Sequence, residues 1–270
     1  MTKVAVVGAG VSGLTCAAVL SEVGAEVTVF AREIERMTSA VAAAIWYPYN
    51  IKPPEDVERW SRQSYAKFEE LARVPGTGVS MVDFDMAGEG VMRVPLIETP
   101  IYLPWLRRNL RIEQRTIANF AEVHADVIVN CAGLGAGALC DDKTVTPGRG
   151  VILKTENPGI VRHMARVEGT TLTYVLTRTN DIVLGGTDEP TDSEDVPPEL
   201  AREIYARCVA VEPRLPADYV IDFGFRPERD EVRLEREGNV IHNYGHGGAG
   251  FTVSWGCAYD VLALYRQVIS

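Results

Sequence analysis

The sequence predicts an α/β protein in which a Rossmann-like dinucleotide-binding domain is interleaved with a second domain built on a mixed, largely antiparallel sheet. Three observations carry this. Lys3 to Phe30 reads as strand, glycine turn, helix and strand in immediate succession. Asp126 to Gly133 is a second apolar run ending in glycine, the pattern of another buried parallel strand. A glycine cluster at 245–250 then introduces an apolar final helix. These pieces lie at the start, middle and end of the chain, with strand patterns between them and no linker, repeat or low-complexity segment. The expected division is 1–49, 105–148 and 237–270 for the nucleotide-binding domain, and 50–104 and 149–236 for the other.

The first unit opens with Lys3-Val4-Ala5-Val6-Val7, a short run of β-formers. Gly8 permits the tight turn, Gly10 lets backbone approach a pyrophosphate, and Gly13 lets helix and strand pack closely. Leu14 to Val23 continues as an Ala-rich helix whose start offers unpaired N–H groups to phosphate, Gly24 caps it, and Glu26 to Phe30 is the second strand. Glu33 lies 20 residues beyond Gly13, where a carboxylate accepts the adenosine ribose hydroxyls, while Arg32 beside it suits a 2′-phosphate. The glycine motif therefore leaves both FAD and NAD(P) open, and the long irregular remainder is more typical of FAD proteins.

Next, Met37 to Ala44 combines small residues with hydroxyls, and Ile45-Trp46-Tyr47-Pro48-Tyr49 adds aromatics beside a proline. That mixture suggests backbone packed close to a ligand, although an ordinary helix start would read the same way. Pro53 to Val74 is an amphipathic helix with Val57, Trp60, Tyr65, Phe68 and Leu71 on its apolar side. Val79 to Phe84 and Val91 to Val94 are strands around a Gly88-Glu89-Gly90 turn, Tyr102 to Leu110 a short helix and Arg111 to Ile117 a strand. Pro147-Gly148-Arg149-Gly150 reads as a turn. The strands expected after it are Val151 to Thr155, Thr171 to Leu176 and Ile182 to Leu184, then Val220 to Arg226, Glu231 to Glu235 and Val240 to Tyr244. Pro198 to Val211 and Thr252 to Val268 are helices.

Lys and Arg total 27 against 37 Asp and Glu, a net charge of −10 that argues against nucleic acid or an anionic membrane as partner. No apolar run reaches transmembrane length, and strand character from residue 3 leaves no room for a signal peptide. The five cysteines show neither CxxC nor metal spacing, so free thiols in a reducing, cytoplasmic setting are expected. The last three residues are not a peroxisomal signal. His242 and His246 are four apart, which suits a metal only on a helix, and the intervening Asn-Tyr-Gly opposes one; no metal site is expected. Arg226 stands in an apolar strand, Phe223-Gly224-Phe225-Arg226-Pro227, where a guanidinium requires a buried anion: a ligand carboxylate, or an Asp or Glu of the chain. Tyr174 alone would more often be a core aromatic with a satisfied hydroxyl.

Seven stretches, in order along the whole chain, resemble the bacterial-type D-amino acid oxidases, of which this would be a compact member. They are Val4 to Leu14, TSAVAAAIWYPY (38–49), DVIVNCAGLGAGAL (126–139), PGRG (147–150), DIVLGGT (181–187), GFRPERDEVRLERE (224–237) and HNYGHGGAGFTVSWGCA (242–258). The resemblance implies FAD as cofactor. It implies contacts from Gly8, Gly10, Val11, Ser12 and Gly13, with Arg32 and Glu33 on the ribose and phosphate side. Thr38 and Ser39 would meet the pyrophosphate, Ala44, Ile45 and Trp46 would line the flavin, and Ile117 and Gly133 would approach the adenosine half. Gly247, Gly248, Ala249, Gly250, Phe251 and Thr252 would border the isoalloxazine, where a helix start favours the negative charge that reduction brings.

For substrate, the resemblance assigns the carboxylate to Arg226 and the Tyr174 hydroxyl, the amine to the carbonyl of Gly248, and pocket walls to Ile45, Tyr47 and Tyr49. The implied reaction is oxidative deamination of a D-amino acid by hydride loss from Cα, giving a 2-oxo acid, ammonia and, with oxygen, hydrogen peroxide. No side-chain base is required by that chemistry. Alternatives within the fold are a D-aspartate or glycine oxidase, or a dehydrogenase using another electron acceptor; from a different functional class, a non-catalytic flavin-binding protein. A homodimer is left open. Two departures stand out: only 23 residues separate Gly150 from Tyr174, and the neighbourhood where longer relatives carry a second lid tyrosine reads Glu168-Gly169-Thr170. A short lid and uncharged Ile45 and Tyr47 lead to an expected preference for bulky neutral D-amino acids over D-aspartate, with Arg178 as the residue best placed to reverse it.

Overall fold

The computed structural model describes residues 1–169 and 171–269. Thr170, in the lid neighbourhood, lies outside the described residues. The chain runs β1 (Lys3–Val7), α1 (Val11–Glu22), β2 (Glu26–Ala31), α2 (Thr38–Val41), α3 (Pro54–Leu71), β3 (Val79–Met86), β4 (Gly90–Ile97), α4 (Thr99–Arg107), β5 (Arg111–Gln114), β6 (Val127–Asn130) and α5 (Gly135–Cys140). It continues with β7 (Thr146–Glu156), β8 (His163–Glu168), β9 (Thr171–Thr177), β10 (Asp181–Gly185), α6 (Pro198–Val211), β11 (Val220–Glu228), β12 (Arg233–Glu237), β13 (Val240–Tyr244) and α7 (Gly250–Ile269).

Among the described residues the strands form two sheets. The first has the order β12-β13-β6-β1-β2-β5 and is parallel except for its β12 edge. Its central strand β1 is buried between β2 and β6, which is why Val4 to Val7 can be continuously apolar rather than alternating. Helix α1 lies on this sheet with little amphipathic character, because α7 covers its other side; Leu14, Cys16, Ala17 and Leu20 are fully buried. The second sheet has the order β11-β7-β10-β9-β8-β3-β4, antiparallel but for the β3–β8 pair. One face packs on α6 through Ile204 and Cys208, and the other, carrying Tyr174, Phe84 and Leu176, faces Ile45 and Tyr47.

Two expectations are corrected. Pro147 to Gly150 is not a turn: it opens the eleven-residue strand β7, with Gly148 paired to Arg226 and Gly150 to Gly224. Pro and Gly are poor strand formers, but here each glycine makes room for a neighbour. A Cβ on Gly148 would stand 2.8 Å from the Glu228 Cγ, and one on Gly150 would stand 2.5 Å from Arg226 Nη2. Strand β8 is an addition, missed because charged Arg166 and Glu168 hide its alternation; it pairs with β9 and, at Asp85 and Met86, with β3. Helix α4 begins three residues before its expected start at Tyr102 and accommodates Pro104 in its interior. No described helix is long and apolar enough to cross a membrane, and the five cysteines are free.

Candidate active site

Between the sheets lies a cavity of about 1020 Å³, lined at one end by the β1–α1 turn and at the other by the second sheet. That volume sits at the upper end of the roughly 300–1,000 Å³ typical of ligand pockets, room for an extended ligand rather than a single small molecule.

The glycine turn behaves as its sequence requires. Gly8 takes φ +114°, and its N–H donates to the Phe30 carbonyl at 2.8 Å. A Cβ there would sit 2.2 Å from the Cys131 carbonyl oxygen. Ser39, on α2, accepts from the Val11 N–H at 3.0 Å, which ties the α2 segment to the start of α1. Gly8, Gly10, Val11, Ser12, Thr38 and Ser39 all line the cavity. Gly13 does not; it is the packing glycine, with a Cβ position only 2.0 Å from the Gly8 oxygen. Arg32 and Glu33 reach the same end, as do Ile117 and Gly133. Glu33 Oε1 accepts the backbone N–H groups of Ile34, Glu35 and Arg36, led by that of Glu35, and these hold its carboxyl below the usual range.

In the middle of the cavity, Ala44 adopts a left-handed φ of 55°; Ile45 after it lines the space, and Trp46 does not. Trp46 is not in the wall: its Nε1 donates to the Ser61 carbonyl at 3.0 Å and its ring stands edge-on to Tyr65. Tyr47 and Tyr49 are in the wall. The Tyr47 hydroxyl donates to Glu89 at 2.9 Å; burial, then that carboxylate, pushes it up to about 12. Thr252, in the first turn of α7, donates to the Tyr47 carbonyl at 3.0 Å. Gly247, Gly248, Gly250 and Phe251 complete this side, while Ala249 points away and is buried.

At the second sheet, Tyr174 and Arg226 face the cavity together. Tyr174 lies on the Gly185 backbone, where a Cβ would meet its ring at 2.0 Å, and its hydroxyl has no hydrogen-bond partner among the described residues. Burial pushes that hydroxyl up to about 12, and the Arg226 charge opposes the shift. Arg226 Nη1 donates to the Thr187 carbonyl at 3.0 Å and to Asp188 Oδ1 at 2.9 Å. The Arg–Asp pair that the apolar strand context left open is therefore present, but it uses one edge of the fork. Nε and Nη2 have no partner among the described residues, and the side chain runs between Gly150 and Gly248. Arg178 is elsewhere, buried against Asp181 at 2.5 and 2.6 Å.

Sequence reasoning missed Asp188 and Glu228. Glu228 could have been found: it is two residues after Arg226 on a strand, so both point to one face. His242 is on β13 beside Glu237 and Asn130; His246 follows the strand, its Nε2 3.0 Å from Asn243 Oδ1. The described residues contain no group of three or more potential metal ligands.

The residues present fit FAD. Two helix starts, α1 and α7, open onto one cavity, and Gly8, Gly10, Gly133, Gly247, Gly248 and Gly250 line it. The arrangement offers N–H groups and dipole to phosphates at one end and to an electron-rich ring edge at the other.

Residues 3–94 and 106–264 match the family of FAD dependent oxidoreductases denoted DAO. The chain is 40% identical over 307 residues to a D-amino-acid oxidase of Streptomyces coelicolor, covering 97% of this chain and 96% of that one. It is 40% identical over 318 residues to a D-amino-acid oxidase of Rubrobacter xylanophilus, covering 100% and 98%. Among solved structures, a glycine oxidase from Bacillus cereus superposes with a TM-score of 0.81 at 15% identity, over 99% of this chain and 98% of that one, a likeness of fold. A cavity built by glycines and two helix starts, and a family match running through both sheets, converge: the chain belongs to the D-amino-acid oxidase family of FAD-dependent oxidoreductases.

Proposed function

We propose that the protein oxidises D-amino acids to imino acids, which water hydrolyses to 2-oxo acids and ammonia. The observation that carries this is the pairing of a half-satisfied guanidinium, Arg226, with the unpartnered Tyr174 hydroxyl in one cavity wall. Together they offer a planar fork and a neutral donor to a carboxylate. Gly248, whose Cβ position lies 3.4 Å from Arg226 Cδ and Nε, would offer its carbonyl to an amine bound next to that carboxylate. When bound, FAD would supply the acceptor for the two electrons of the Cα–H bond, with oxygen as the final acceptor. The chain's own contribution is then orientation, with charge fixed at one end and apolar walls from Ile152, Leu176 and Phe84 excluding water.

The side-chain end of the pocket is bounded by Ile45, Tyr47, Met86 and Leu172. With Glu89 on Tyr47 and Asp188 and Glu228 near Arg226, a second substrate carboxylate meets negative charge on both sides. This supports neutral, bulky D-amino acids over D-aspartate. Anaerobic mixing with a panel of D- and L-amino acids tests both points by loss of the flavin absorbance. Bleaching by L- but not D-enantiomers rejects the reading, and a higher kcat/KM for D-aspartate than for D-methionine rejects the side-chain preference.

A further inference from the structure

After Gly185 the chain does not leave the second sheet at once but stays beside β7. The Glu189 N–H donates to the Arg149 carbonyl at 3.0 Å, and the Arg149 N–H to the Glu189 carbonyl at 2.7 Å. Thr187 Oγ1 accepts from the Val151 N–H at 3.0 Å. The Arg149 side chain, only 6% exposed, secures the far end: Nε and Nη2 donate to Glu189, and Nη1 to the carbonyls of Ser193 and Asp195. Asp188, in the cavity wall, therefore stands between two residues that are each tied to the sheet.

That placement fixes one nitrogen of Arg226. Nη1 donates to Asp188 Oδ1 at 2.9 Å and to the Thr187 carbonyl at 3.0 Å, two acceptors from consecutive residues. Nη2 lies over Gly150, whose Cβ position is 2.5 Å away, and Nε lies beside that of Gly248 at 3.4 Å. The glycines supply space, and the hydrogen bonds that hold the guanidinium among the described residues come from Thr187 and Asp188. Glu228 lies on the same side, but no hydrogen bond joins it to Arg226 among the described residues. The Asp188 carboxylate likewise has no second hydrogen-bond partner among them. With the Asp188 side chain 39% exposed, the ion pair contributes little to the stability of the fold. Its effect falls on the one cation that faces the cavity with it.

An arginine has a long, rotamer-rich stem, and a guanidinium free to turn still attracts a carboxylate. Affinity survives that freedom, but aim does not. We propose that Asp188 is a positioning residue of this oxidation. By holding Nη1 it sets the rotation of the Arg226 guanidinium, so that Nη2 and Nε meet the substrate carboxylate in the one orientation that aims Cα for hydride loss. Asp188 acts through Arg226 and makes no contact with the substrate. Its own charge opposes the approach of another anion, so the pair trades some carboxylate affinity for a defined geometry.

This role rests on the amino-acid reading above, and two measurements separate the two. Benzoate, a carboxylate without an amine, is titrated against the flavin spectrum. The limiting rate of anaerobic flavin bleaching is then measured at saturating D-methionine. Both are done for the wild type, Asp188→Ala and Asp188→Asn. Asp188→Ala binds benzoate at least as tightly as the wild type, because a neighbouring negative charge has gone. Its limiting rate falls by about 10- to 100-fold, the scale of a small misplacement of the reacting atoms. Asp188→Asn keeps an acceptor for Nη1 without the charge and restores most of the rate. Arg226→Ala, by contrast, loses both benzoate binding and rate. If Asp188→Ala does not retain FAD, Asp188→Ser, whose hydroxyl is one bond shorter than the carboxylate, replaces it with the same expectation. An unchanged limiting rate, weakened benzoate binding, or an Asp188→Asn as slow as Asp188→Ala each overturns the assignment while leaving D-amino acid bleaching by the wild type intact. Failure of D-amino acids to bleach the wild type overturns the underlying reading and the positioning role with it.

Discussion

At the scale of single residues, the proposed function rests on Arg226 holding the substrate carboxylate. Replacement by Ala removes charge-assisted hydrogen bonds worth about 1.5–3 kcal/mol each, so kcat/KM for D-amino acids falls about 10²- to 10⁴-fold. Part of the loss appears in kcat, because the same contact aims Cα. The Asp188 left behind is half-exposed, so the stability cost stays near the surface-pair range of about 1 kcal/mol. FAD content is unchanged, and amines without a carboxylate lose far less; equal damage to acids and amines in a colourless variant would reject the assignment. Tyr174→Phe removes a hydroxyl that has no partner among the described residues. Its thermal midpoint therefore holds while kcat/KM drops about tenfold, the equivalent of one modest hydrogen bond. That Arg226 and Tyr174 would face one cavity was expected from the resemblance, and the arginine in an apolar strand pointed to an anion beside it, without saying which. Asp188 was not legible in the sequence, because its approach to Arg226 depends on how the segment after β10 returns to the sheet. Nor did the sequence show that Trp46 would hydrogen-bond the Ser61 carbonyl and stand against Tyr65, since those contacts depend on where α3 packs.

At the scale of elements, the glycines that looked like punctuation turn out to be spacers. The start of β7 reads as a turn by composition, yet pairing with β11 along nine registered residues keeps it in the sheet. What the composition recorded was the need for empty space beside Arg226 and Glu228. Two substitutions distinguish spacer from hinge. In Gly150→Ala the new Cβ meets the far end of a flexible arginine at 2.5 Å. The fold and FAD content survive, while KM for D-amino acids rises as the guanidinium is displaced, read by steady-state kinetics on yellow protein. In Gly13→Ala the Cβ meets the Gly8 carbonyl at 2.0 Å, backbone against backbone with nothing able to rotate aside. That variant loses FAD and several kcal/mol of stability, of the order of the larger overpacking penalties, about 3 kcal/mol, measured by denaturant unfolding. A Gly13→Ala protein with normal FAD affinity would refute the close-packing role.

At the scale of the whole molecule, the parallel first sheet and the mixed second sheet were legible because uninterrupted apolar runs, turn glycines and amphipathic periods all agreed. Strand order was not, since it depends on pairings between distant segments such as β6 with β13. Stability should depend on pH through His246. Burial pushes its imidazole down to about 4, against an ordinary value near 6.5. The unfolded chain therefore takes up the proton first, so stability is complete above about pH 6.5 and declines toward pH 4, by about 3 kcal/mol in all. His242 and His163, also shifted down by burial, act in the same direction. Glu228, shifted up, offsets part of this as pH falls. Urea midpoints at pH 7.5 and 5, with FAD saturating, check the sign; a midpoint that rises at pH 5 is the contrary result. The interleaving also carries a consequence for biosynthesis. β1 and the glycine turn leave the ribosome first, but the strand that completes their sheet, β13, and the helix that covers α1, α7, begin only at residues 240 and 250. A nascent chain shorter than that has no closed cradle, whatever its N-terminal motif. Cofactor capture is then a late event in the life of each polypeptide, and ribosome-stalled chains ending before residue 240 should remain colourless and sensitive to protease in the presence of abundant FAD.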